Sequence, residues 1–182
     1  MKSLIVYSVL MLSTLSGAAY ADSALVAQAK LVDANGNHVG VANLQEKSGG
    51  SVSIEINAHN LTAGDHGMHI HTIGNCALGT TPTFSAAGGH FNPTSAQHGS
   101  ANPSGPHAGD LPNLTVKENG NVATTVTSDR FTLQTGQSNS LFDADGSAIV
   151  IHEKADDNMT NPTGNSGTRI ACGVIEKKGN DK

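Results

Sequence analysis

Tryptophan is absent from this chain and aromatic residues make up only 3% of it, so a core has to be built from valine, isoleucine, leucine and alanine. Positive charge is scarce too: 10 Lys and Arg stand against 15 Asp and Glu, for a formal net charge of −5. That balance argues against a nucleic-acid surface. An anionic substrate would need its positive partner placed locally. No long amphipathic helical pattern occurs, and the one apolar run, Leu4 to Leu15, is too short for a membrane span. There are only two cysteines. The first is Cys76, so no lipid anchor is indicated near the start.

What the N-terminus does carry is an export pattern. Met1-Lys2 is a short positive start, the apolar run follows, and Ala19-Tyr20-Ala21 supplies small-x-small residues before a cleavage point. Residues 1–21 therefore read as a signal peptide and 22–182 as one exported domain, periplasmic or secreted, free of the membrane after cleavage. In an exported protein Cys76 and Cys172 read as a disulfide, with two free thiols as the alternative.

The rest is a succession of short strands and turns. Leu25 to Val32 alternates, Asn35-Gly36 signals a hairpin, and Val39 to Leu44 returns. Val52, Ile54, Ile56 and Ala58 alternate with Ser53, Glu55 and Asn57, giving one buried and one wet face. Leu114 to Val116, the turn Asn119-Gly120, and Val122 to Thr127 predict a further hairpin, and Ala148 to His152 and Arg169 to Ile175 are late strands. The pattern is that of an all-β sandwich or barrel. It is broken by two long segments, Thr72 to Asn113 and Glu153 to Thr168. Long irregular loops in a small domain are usually functional.

The chain has 9 histidines, and their placement is informative. His69 and His71 flank Ile70 on a predicted strand, so both rings project from one face as a chelating pair. His152 ends a second apolar strand. His90, His98, His107 and Asp110 lie in the first long loop, with Ala108-Gly109 allowing a tight bend. Imidazole suits zinc and copper, and a lone carboxylate is compatible with zinc. Two four-coordinate sites would need one more donor than these residues supply. Either one ring serves both metals through its two nitrogens, or a water fills the gap. His38 and His59 read as ordinary polar residues. His66, three residues before the pair, stays open between the two readings.

Taken together, Gly67-Met68-His69-Ile70-His71, Gly88-Gly89-His90-Phe91-Asn92-Pro93, His98-Gly99, Gly105-Pro106-His107-Ala108-Gly109-Asp110, the block from Ile151 to Asp157 and the block from Gly164 to Ile175 closely resemble the copper–zinc superoxide dismutases of the bacterial exported type. The blocks occur in family order over nearly the whole of residues 22–182. The resemblance implies a Greek-key β-sandwich or flattened barrel with two functional loops, a fold for which the family is itself a standard example. It implies superoxide as substrate, oxygen and hydrogen peroxide as products, and one copper and one zinc per chain. Its copper ligands would be His69, His71, His90 and His152. Its zinc ligands would be His90, His98, His107 and Asp110, with His90 bridging. Arg169 would hold the superoxide anion, Asp156 would orient one ring of each site, and Cys76–Cys172 would tie the first loop to the last strand. Monomer and homodimer remain equally open.

Two rival readings fit less of the pattern. A metal store would keep the histidines but would not need Arg169. A hydrolytic zinc enzyme would need an open coordination position, which Asp110 would close. One departure from the family stands out: neither 72–113 nor 158–168 contains a lysine or arginine. Long-range steering of the anion is therefore expected either to be weak or to come from the strands, with Lys154 and Arg169 the nearest basic residues by sequence.

Overall fold

The structure, a computed structural model, describes residues 26–178. The expected signal peptide lies outside them. Among the described residues no helix is long and apolar enough to cross a membrane.

Alternating β-branched and polar residues build the strands. β3 (Val52–Ala58) buries Val52, Ile54, Ile56 and Ala58 and turns Glu55 and Asn57 outward. It pairs in unbroken antiparallel register with β2 (His38–Glu46), which in turn pairs with β1 (Val26–Asp33) around the expected Asn35-Gly36 turn. With β5 (Met68–His71), β7 (Val122–Ser128), β8 (Ala148–His152) and β9 (Arg169–Lys177) they form one curled seven-stranded sheet in the order β5-β8-β9-β1-β2-β3-β7. The curl makes a half-barrel around Leu31, Leu44, Ile54, Ile56, Met68, Ile70, Leu133 and Ile149.

The hairpin expected across residues 114–127 does not form. The Asn119-Gly120 turn is present, closed by Gly120 N–H to Lys117 O at 2.8 Å. The strands beside it part company: β6 (Leu114–Val116) pairs with β4 (Gly64–His66) in a separate two-stranded sheet, whereas β7 pairs with β3. Alternation reveals which face of a strand is buried but not which strand lies beside it.

β5 and β8 are buried on both faces. One face, with Met68, Ile70, Ile149 and Ile151, looks into the barrel. Over the other face lies a second apolar cluster, in which Phe84 and Ala87 of the first long loop meet Ala148, Val150 and Cys172. Cys76 and Cys172 are disulfide-bonded there, with Cα atoms 5.7 Å apart. The loop is thus held against the outer wall of the barrel, and the histidines lie between loop and wall. A third irregular stretch, residues 129–147, joins β7 to β8. It sends Phe131, Leu133 and Leu141 into the core. It is pinned to the end of β2 by the buried Glu46 carboxylate, which accepts from Leu133 N–H at 2.6 Å, Gln134 Nε2 at 2.8 Å and the Thr132 hydroxyl.

Candidate metal centre

β5 presents His69 and His71 on its outer face, as strand alternation requires. Antiparallel pairing with β8 brings His152 alongside, its N–H donating to Gly67 O at 2.8 Å. His90 arrives from the loop through a bridge to His71, and Asp110 through a bridge to His69. Gly109 makes the second approach possible, because a Cβ there would lie 2.3 Å from Ile70 O.

Four ring nitrogens converge with nothing to bond to. His69 Nδ1, His71 Nε2, His90 Nε2 and His152 Nε2 are all buried without a hydrogen-bond partner. The ligand atoms of these residues fall within 4.8 Å of one another. Their opposite nitrogens are occupied: His69 Nε2 by Asp156 Oδ2 at 2.7 Å, His71 Nδ1 by Gly88 O at 3.0 Å, and His152 Nδ1 by Gly167 O at 3.3 Å. A carbonyl or carboxylate partner fixes the proton on that nitrogen and leaves the other lone pair pointing inward. Buried orphan acceptors carry a desolvation cost, and four around one point are what a cation would relieve.

The second cluster centres on Asp110 Oδ1. It lies 2.9 Å from His90 Nδ1, 3.0 Å from His98 Nδ1 and 3.3 Å from His107 Nδ1. His107 Nδ1 is 3.4 Å from His90 Nδ1. A tetrahedral ion about 2.0–2.1 Å from each ligand would set its ligands about 3.3–3.4 Å apart, and these four separations are near that edge length. The other oxygen, Oδ2, is held by the amides of Gly99 and His107, both at 2.9 Å, which aims Oδ1 at the rings. His90 belongs to both clusters, with Nδ1 in the second and the orphan Nε2 in the first.

Asp156 joins the clusters from behind, accepting from His69 Nε2 and, at 3.0 Å, from His98 Nε2. Asn113 holds the Asp156 backbone on both sides, through N–H to Oδ1 at 2.8 Å and Nδ2 to O at 2.9 Å.

The protonation states suit metal binding. Desolvation lowers His69 to about 4 and His152 to about 3, and pushes His71 well below its ordinary value. Burial alone would raise Asp156. The hydrogen bonds from His69, His98 and the Asn158 amide outweigh it and bring the carboxyl to about 2. Asp110 is likewise held below the usual carboxylate range, the His90 and Gly99 hydrogen bonds overcoming burial.

Arg169 opens β9 opposite His152 in the register. Its guanidinium is half-buried and donates through Nη1 to Phe84 O and through Nη2 to Gly88 O, both at 2.6 Å. Since Gly88 O also accepts from His71, arginine and histidine are registered on one carbonyl.

The structure brings His69, His71, His90 and His152 together in one group and His90, His98 and Asp110, with His69, in another; His107 stands beside the second, its Nδ1 3.3 Å from Asp110 Oδ1. His66 is excluded from the centre. It is buried with Nδ1 2.7 Å from His152 O and Nε2 2.8 Å from Thr62 O. His38 and His59 are exposed, with ring centroids 6.0 Å apart and planes tilted by 50°, and among the described residues they belong to no group of three or more ligands. Asn113 and Arg130 were not foreseen; Arg130 Nη2 donates to the main-chain carbonyl of Asp110.

The chain is similar to known proteins over most of its length. The model of the family described as copper/zinc superoxide dismutase (SODC) matches residues 38–175. Superoxide dismutase (Cu-Zn) 2 of Aquifex aeolicus is 46% identical over 152 residues, covering 83% of this chain and 86% of its own. Superoxide dismutase (Cu-Zn) of Deinococcus radiodurans is 43% identical over 162 residues, covering 82% and 83%. The crystal structure of a dismutase-like protein from Bacillus subtilis superposes with a TM-score of 0.76 at 42% identity, covering 81% of this chain and 96% of that one.

Proposed function

The chain belongs to the copper/zinc superoxide dismutase family, and from that premise we propose that His69, His71, His90 and His152 hold copper while His90, His98, His107 and Asp110 hold a structural zinc. The observation that carries the assignment is the two-sided placement of His90, with one nitrogen in each cluster. The family's reaction joins two superoxide anions and two protons to give oxygen and hydrogen peroxide. When bound, copper supplies the one-electron couple that this reaction requires and that zinc lacks.

The chain's own residues do the rest. Two of the Arg169 donors are fixed on Phe84 O and Gly88 O. The guanidinium is therefore preorganised, with further N–H groups and a permanent charge left for a small anion. His90 Nε2 is the atom able to take up a proton between the two half-reactions and release it for peroxide formation. Asp156 keeps His69 and His98 in one tautomer and orientation. The carboxylate of Asp110 fills the fourth position of its cluster, which leaves no open site for hydrolytic chemistry.

We place the enzyme outside the cytoplasm, as a defence against superoxide arising there. The export pattern of residues 1–21 and the Cys76–Cys172 bond support this.

Protein loaded with both metals should contain one copper and one zinc per chain and remove superoxide. His71→Ala should abolish removal and lose copper while keeping zinc. One metal in total, or full activity in His71→Ala, would overturn the assignment.

A further inference from the structure

We propose that Arg130 is a positioning residue for the zinc site, the end of a strut that begins at the buried Glu46 carboxylate and fixes the backbone of Asp110. The proposal rests on the assignment of Asp110 as a zinc ligand.

The backbone around Asp110 is stitched to β5 on both sides, through Ile70 N–H to Gly109 O at 2.9 Å and Leu111 N–H to Met68 O at 3.3 Å. The Asp110 carbonyl between them meets the Arg130 guanidinium, through Nη2. All the main-chain groups that set the direction of the Asp110 side chain are thus engaged, and one of the engagements is a side chain from a distant segment.

That segment is itself immobilised. Arg130 N–H donates to Ser128 Oγ at 3.2 Å, and Arg130 O accepts from Asn139 Nδ2 at 3.3 Å. Phe131 and Leu133 lock the following residues into the core. Glu46 is buried and gathers Thr132, Leu133 and Gln134 with no cation among its partners. A buried carboxylate satisfied by several donors holds their geometry firmly. The Arg130 Nε is buried and unpartnered, so the side chain is held here at a desolvation cost. The Nη2 bond is what it gains.

The sign of the effect separates positioning from charge. A guanidinium near a divalent cation repels it. If charge dominated, removing Arg130 would tighten zinc. If positioning dominates, removing it loosens zinc, and loss of an outer partner of a metal ligand typically costs about 10–100-fold in affinity.

The test uses protein loaded with copper and zinc and challenged with a chelator, each metal's release being followed separately. Arg130→Leu should release zinc about tenfold faster or more, with copper release unchanged. Arg130→Lys, which keeps a donor, should recover part of the retention. Cobalt placed in the zinc site should change its visible absorption in Arg130→Leu, which a general loss of stability would not produce. Slower zinc release, or equal acceleration of both metals with an unchanged cobalt spectrum, overturns the proposal. Should Arg130→Leu fail to fold, Glu46→Gln, which weakens the far end of the strut, must accelerate zinc release in the same sense; unchanged release there also overturns it. Asp110→Ala is the control: if that variant keeps its zinc, the ligand assignment fails rather than the strut.

Discussion

Gly164 and Asp156 are in such close approach that a Cβ at residue 164 would lie 1.8 Å from Asp156 Oδ1 and 2.6 Å from His98 Nε2. The backbone there is also left-handed, at φ +61°, where glycine is favoured. The loop after β8 is thus shaped around the carboxylate that joins the two metal clusters. Gly164→Ala should push Asp156 off both rings and weaken metal retention by about 10–100-fold. Dialysis against chelator followed by elemental analysis checks this, and unchanged retention of both metals would count against the linking role.

Asp110→Ala removes a carboxylate that lies in one cluster only. Zinc should be lost on dialysis well before copper. Equal loss of the two would contradict the division of ligands.

Arg169→Leu should leave both metals bound, because a guanidinium is no ligand, yet lower turnover about tenfold or more through loss of the local positive charge. Arg169→Lys should retain more activity than Arg169→Leu. Metal content and superoxide removal, measured on the same samples, separate the two effects. With residues 72–113 and 158–168 free of lysine and arginine, raising salt to about 0.1 M, where charges more than about 10 Å apart are screened, should slow wild-type turnover only mildly. A steep fall would reveal a steering field elsewhere on the surface.

Reducing Cys76–Cys172 should destabilise the fold by about 2–5 kcal/mol, measured by thermal unfolding of metal-free protein after verified thiol release. The apolar cluster of Phe84, Ala87, Val150 and Cys172 beneath the bond should keep the loop partly docked. Unchanged unfolding would remove its structural role.

Much of the centre is legible in the residues alone, because strand alternation forces His69 and His71 onto one face and the ligand blocks stand in a recognisable order. The boundaries of the two long loops are legible for the same reason, since the strands on either side are strongly patterned. Arg130 and Glu46 leave no such trace. Glu46 ends β2 and Arg130 lies two residues past β7, each beside a residue of opposite charge, where a solvated side chain is the ordinary reading. Their roles come from contacts across the barrel that no local spacing encodes. The failed hairpin at 114–127 has the same cause: the turn is a local property of Asn119-Gly120, but the choice between β4 and β3 as partners is made by the whole sheet.

The two ligand sets differ in how far they reach along the chain. The proposed zinc ligands lie within residues 90–110, whereas the proposed copper ligands run from His69 to His152, with Arg169 later still. A polypeptide growing from its N-terminus therefore contains all four proposed zinc ligands before β8 is made. His152 joins the other three proposed copper ligands through the pairing of β8 with β5, and Arg169 opens the last strand. Chain order thus puts all four proposed zinc ligands ahead of β8, and a chain ending before His152 would lack one of the four proposed copper ligands.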